Sequence, residues 1–117
     1  MADDWARPVV HWEIQARDAA KIRAFYASLF NWEIGEDRAM NIPVGVGPPE
    51  PGPAGHIRAS ESSRVVLYIQ VRDLRESLDR AVALGGAVTH EPRHRPGNAS
   101  IAGITDPEGN PVVLVQQ

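Results

Sequence analysis

The chain has 117 residues, with 43% hydrophobic and 23% charged side chains, which is ordinary for one soluble globular domain with a core of its own. A net charge of −3 with no basic run argues against nucleic acid or an anionic membrane surface as partner. The absence of cysteine excludes disulfides, thiolate metal sites and thiol catalysis.

The acidic start, Met1-Ala2-Asp3-Asp4, leads into no apolar signal segment, and no apolar run reaches the ~18–20 residues of a membrane span. A cytoplasmic location is expected. Residues Pro8 to Arg17 alternate with strand period, placing Val10, Trp12, Ile14 and Ala16 on one face and Val9, His11, Glu13, Gln15 and Arg17 on the other. The apolar face is expected to pack on helices. The polar face is expected to line a cavity or a solvated groove.

Asp18 is suited to cap a helix in which Ala19, Ile22, Phe25, Tyr26 and Leu29 form one apolar stripe, with Asn31 as a left-handed stop. Trp32 to Gly35 and Ala39 to Val46 read as short strands. Between Pro43 and Gly55, five prolines and four glycines mark a long loop. It reads either as a plain surface connection or as a cover over a cleft. Ala54 to Ser60 then reads as a strand.

The stretch Ile14-Gln15-Ala16-Arg17-Asp18 returns as Ile69-Gln70-Val71-Arg72-Asp73, 55 residues later. Arg64 to Arg72 is again a strand, and Asp73 with Glu76 forms a capping-box pattern. Leu74, Leu78, Ala81 and Val82 give the second helix its stripe, which Gly85-Gly86 ends. Strands at Ala87 to Glu91, Ala99 to Thr105 and Pro111 to Gln116 follow. The turn Asp106-Pro107-Glu108-Gly109-Asn110 joins the last two. The chain therefore reads as α+β, one domain over 1–117, with tandem βαβββ modules at about 8–60 and 64–116.

This duplicated module resembles the vicinal oxygen chelate superfamily, which includes glyoxalase I, bleomycin-resistance proteins and extradiol dioxygenases. The resemblance rests on the His11-to-Asp18 strand and helix entry, on Phe25-Tyr26 and Leu29-Phe30-Asn31-Trp32, and on the Asp106-to-Asn110 turn. It implies a curved mixed sheet around a small-molecule cleft, and a two-fold homodimer. It also implies metal ligands on four strands. Those positions fall on His11, near His56, on Val66 or Leu67, and on Val113, so half the set is apolar. The residues therefore imply no metal site and no cofactor.

His11 and Glu13 lie side by side and are the candidate catalytic pair, the carboxylate raising the basicity of the imidazole. The bland alternative is a structural hydrogen-bonded pair. Gln15 and His56 are candidate ligand contacts, as are Tyr68 and Gln70, which match Glu13 and Gln15 under the repeat offset. Trp12 and Trp32 read as core. His90, Arg93, His94 and Arg95 read as a solvated basic patch in a Pro-bounded loop. The leading functional expectation is a metal-free protein that binds a small organic molecule by sequestration or acid–base chemistry. The alternatives are a metal-dependent lyase, isomerase or dioxygenase using His11 and His56, and a non-catalytic interaction domain.

Overall fold

The computed structural model describes residues 5–36, 40–42, 52–94 and 96–116. Among them seven strands and two helices follow in the order β1 (Val9–Ala16), α1 (Ala19–Phe30), β2 (Asn41–Ile42), β3 (Gly55–Ala59), β4 (Arg64–Gln70), α2 (Leu74–Ala83), β5 (Ala87–Arg93), β6 (Ser100–Thr105) and β7 (Pro111–Gln116). The class is α+β, as the sequence implies. Two compact units divide the chain, His11–Val66 and a second made of Met1–Val10 with Leu67–Gln117.

In the His11–Val66 unit, β3 runs parallel to β1 and antiparallel to β2. The register sets Trp12 against Gly55, Glu13 against His56 and Gln15 against Arg58. Directly paired residues point to the same face of a sheet, so His56 joins the polar face of β1. On the other face Ala16, Ile34, Ile42 and Ile57 form a buried cluster, with Trp12, Ile14, Ala19, Ile22, Tyr26 and Trp32 packed on it. Trp32 stacks on Tyr26 at 5.8 Å and meets Trp12 at 5.6 Å, which confirms both tryptophans as core.

Helix α1 starts where the Asp18 carboxylate accepts from Lys21 N at 3.1 Å and stops at Asn31, whose φ of 59° is left-handed. The expected single stripe is only partly used. Ala19, Ile22 and Tyr26 reach the core, whereas Phe25 and Leu29 are 54% and 59% exposed. The side of the helix turned inward carries Arg23, whose guanidinium donates to the carbonyls of Ile34 and Gly35 at 2.6–3.1 Å.

That contact also explains why Trp32 to Gly35 is not a strand. Its carbonyls are satisfied by a side chain instead of a ladder, and Gly35 N makes a single bond, to Asn41 O at 3.1 Å. The strand expected over Ala39 to Val46 is present at Asn41–Ile42; Ala39 and 43–46 lie outside the described residues. So does most of the Pro/Gly-rich loop, 43–51.

In the other unit the strand order is β4-β7-β6-β5, with β4 parallel to β7 and the remaining pairs antiparallel. Val71, Leu74, Leu78, Ala102 and Leu114 form its buried cluster beneath α2. Asp73 caps α2 by accepting from Glu76 N at 3.0 Å. The helix ends with Gly86 N bonded to Ala81 O and Gly85 N to Val82 O, the paired bonds of a Schellman turn, with Gly85 at φ +103°. The basic patch is not all loop. His90 and Arg93 lie on β5, interrupted by two register shifts, with His90 opposite Gly103; Arg95 lies outside the described residues.

Candidate functional site

The polar face of β1 and β3 carries one continuous hydrogen-bonded chain. His11 Nε2 lies 2.7 Å from His56 Nδ1, and His56 Nε2 lies 2.8 Å from Glu13 Oε1. Gln15 Nε2 donates to Glu13 Oε2 at 2.6 Å, and Arg58 Nε donates to Glu13 Oε1 at 3.2 Å. Arg64 Nε, from the first residue of β4, donates to Gln15 Oε1 at 2.8 Å. Strand period places His11, Glu13 and Gln15 on one face, and register brings His56 and Arg58 to them.

Glu13 and Gln15 are each 4% exposed. Burial by itself would push the Glu13 carboxyl up. Hydrogen bonds from His56 and Gln15, with the charge of Arg58, overcome that and hold it at about 2. Glu13 is therefore an ionised acceptor at neutral pH, and His56 must present Nε2–H to it. With both rings neutral, His56 Nδ1 then accepts from His11 Nε2–H. His11 Nδ1 is then the unprotonated nitrogen at the outer end of the chain.

The expected rise in His11 basicity is not what the geometry gives. Burial lowers its pKa, the neighbouring His56 lowers it further, and the Glu13 charge pulls weakly the other way. The carboxylate accepts from His56, Gln15 and Arg58. His11 is thus a neutral acceptor, backed by a second imidazole and a fixed anion.

Of the residues singled out from sequence, His11, Glu13, Gln15 and His56 come together within hydrogen-bond distance. Tyr68 and Gln70 lie half-buried on β4 in the other unit, opposite Val113 and Val115 of β7. Arg58 and Arg64 were missed. Arg58 was legible, since His56 and Arg58 alternate with Ile57 and Ala59. Arg64 carries no local signal.

The four-strand ligand set implied by the resemblance does not fit these residues. Val66 is 3% exposed and aliphatic, and Val113 offers no donor atom. Glu13, a carboxylate on the same face, is already engaged by His56, Gln15 and Arg58. Among the described residues, no group of three or more His, Cys, Asp or Glu side chains is placed to hold a metal ion.

A duplicated strand–helix plan with this polar face defines a class, the glyoxalase-like α+β proteins. The chain belongs to the glyoxalase-like domain family, whose pattern it matches over residues 11–115. No curated protein matches it. Among solved structures, a glyoxalase/bleomycin resistance protein/dioxygenase superfamily member from Vibrio splendidus 12B01 is similar at TM-score 0.66 and 15% identity, over 96% of this chain and 100% of that one. Methylmalonyl-CoA epimerase from Mycobacterium tuberculosis is similar at TM-score 0.60 and 18% identity, covering 92% of this chain and 86% of its own. A Streptomyces coelicolor methylmalonyl-CoA epimerase in complex with 2-nitronate-propionyl-CoA gives 0.60 and 16%, over 93% and 96%. At these identities the likeness is one of fold. Among the described residues, no helix is long and apolar enough to cross a membrane.

Proposed function

We propose that this protein binds a small organic molecule against the polar face of β1 and β3 and moves a proton on it without a resident metal. The observation that carries the reading is the chain from Glu13 through His56 to His11. His11 Nδ1 accepts a proton from an activated C–H or O–H of the bound molecule. The Nε2 proton of His11 is then free to pass to His56 Nδ1, which leaves the positive charge on His56, against the Glu13 carboxylate. Reversal returns the proton. A neutral imidazole that relays charge inward in this way is suited to general base and acid work near neutral pH. Glu13 is a positioning residue here, since it acts through His56.

The test is solvent exchange. The protein is incubated in D2O with small 2-oxo acids, β-dicarbonyl acids and methylmalonyl-CoA, the last chosen because structural neighbours of the fold are its epimerases. Deuterium incorporation that disappears in His11→Ala supports the proposal. Failure of every compound both to exchange and to bind saturably contradicts it. Stoichiometric zinc, iron, nickel or manganese in protein purified without chelators, lost in His11→Ala, would overturn the metal-free part and favour a metal-dependent activity at His11 and His56.

The reading includes a two-fold homodimer, the commonest form of soluble oligomer. The exposed Phe25, Leu29 and Phe30 of α1 support it as apolar surface of the kind that association covers. Light scattering coupled to size exclusion decides it, a single species near 12.8 kDa at all dilutions being the contrary result.

A further inference from the structure

Gln15 is buried, and both ends of its amide are committed, the nitrogen to Glu13 Oε2 and the oxygen to Arg64 Nε. Arg64 is therefore fixed by a side chain that cannot move away without breaking the network beneath it. The fixing group is neutral, so it aligns the guanidinium without cancelling its charge. Three other arginines meet carboxylates, Arg23 with Glu36, Arg58 with Glu13 and Arg75 with Glu91. Arg64 has no such ion pair among the described residues, and it is exposed. With Nε engaged, the Nη edge of the guanidinium points away from its anchor, and that edge suits a planar two-point contact with an oxyanion.

Arg58 adds to this end of the face. It stands opposite Gln15 on β3, and its side chain is 54% exposed although Nε bonds to Glu13. Of the two guanidinium groups at this end, only Arg58 meets the Glu13 carboxylate, which is itself sunk below the surface, and Arg64 reaches it only through Gln15. His11 and Gln15, which mark the imidazole end and the guanidinium end, are two strand repeats apart, roughly 13 Å along β1. Resting on the site reading above, we infer that Arg64, helped by Arg58, is an oxyanion anchor, and that the molecule bound here is a small organic acid or phosphate ester. Its anionic group sits at the arginine end, two strand repeats along β1 from His11.

The experiment is a titration of ¹⁵N-labelled protein with malonate, methyl phosphate and the neutral control malonamide, following the Gln15 side-chain amide and the Arg64 Nε–H. Malonate or methyl phosphate is expected to give saturable shifts at both groups. Arg64→Met should weaken that binding at least tenfold, and Arg64→Lys should weaken it less. Malonamide should give no saturable shift. The tighter of the two anions tells a carboxylate ligand from a phosphate one. Unchanged affinity in Arg64→Met, equal binding of malonamide, or no binding of either anion overturns the inference. The readout is separate from solvent exchange. Anion binding that depends on Arg64, in a protein with no exchange activity, contradicts proton transfer and upholds the anchor. Exchange with an unchanged KM in Arg64→Met does the reverse.

Discussion

Glu13 and His56 face each other directly across two parallel strands, with His56 Nε2 2.8 Å from Glu13 Oε1. Everything distinctive about the site follows from that pairing. An ionised carboxylate accepts and cannot donate, so it dictates which nitrogen of His56 carries the proton. That choice passes through the 2.7 Å contact to His11.

The first prediction concerns Glu13 and stability. Its carboxyl titrates at about 2 in the fold against an ordinary 4.5, so the folded state gives up this proton more readily than the unfolded chain. The resulting stabilisation is present above 4.5 and is lost as pH falls toward 2. After allowance for solvent screening it is worth on the order of 2 kcal/mol. Glu13→Gln should be less stable than the parent by roughly 1–3 kcal/mol at pH 7, since it removes the anion against His56 and Arg58. Urea unfolding at a series of pH values checks this. The gap between the two proteins should close below pH 3.

Gly55 provides a packing test. A Cβ built there would lie 2.4 Å from Cδ2 and 2.5 Å from Cε2 of Trp12, whose ring is laid across this glycine. The ring is held in place by Nε1, which donates to Pro53 O at 2.9 Å, and by contact with Trp32. It has little room to shift. Gly55→Ala should cost about 1–3 kcal/mol by overpacking, with a changed tryptophan emission maximum. Thermal unfolding followed by fluorescence measures both.

Arg23→Met should remove the donors that replace a sheet partner for Ile34 and Gly35. The expected loss is ~1–2 kcal/mol, because those carbonyls lose charged hydrogen bonds. Glu36→Gln should change stability by less than about 0.5 kcal/mol, because the Glu36 side chain is 86% exposed and its oxygen is 3.7 Å from Arg23. Denaturant midpoints of the two variants, compared with the parent, separate these cases.

Much of the fold was legible because its signals are periodic or local. The alternation along His11, Glu13 and Gln15 gave the polar face, Asp18 and Asp73 gave the helix starts, and Asn31 and Gly85 gave the stops. The strand Pro111–Gln116 has the bounds expected after the Asp106-to-Asn110 turn. What was not legible depends on long-range partners. Trp32 to Gly35 has the composition of a strand, yet a guanidinium from α1 takes its carbonyls. Arg93 reads as loop because Pro92 and Pro96 flank it, but β5 runs on to include it with two register shifts. In the site, Arg64 lies 49 residues from Gln15, and no spacing rule connects them. The basicity of His11 was misjudged for a related reason. The spacing shows the Glu13 charge two residues along the strand, but not the burial or the His56 ring from another strand that outweigh it.

The central claim is that Glu13 fixes the tautomers of both imidazoles so that His11 Nδ1 is the unprotonated nitrogen that acts as base. Long-range ¹H–¹⁵N correlation spectra of the histidine rings, recorded from pH 5 to 8, test it most directly. The account predicts that His11 and His56 both carry their proton on Nε2 at pH 7, with Nδ1 unprotonated in each. It also predicts that His11 titrates below the ordinary 6.5, because burial and His56 disfavour its charged form. His11 then binds fewer protons folded than unfolded, so its cost to stability should grow as pH falls below 6.5. A His11 protonated on Nδ1 at pH 7, or one that titrates above 6.5, would contradict the account.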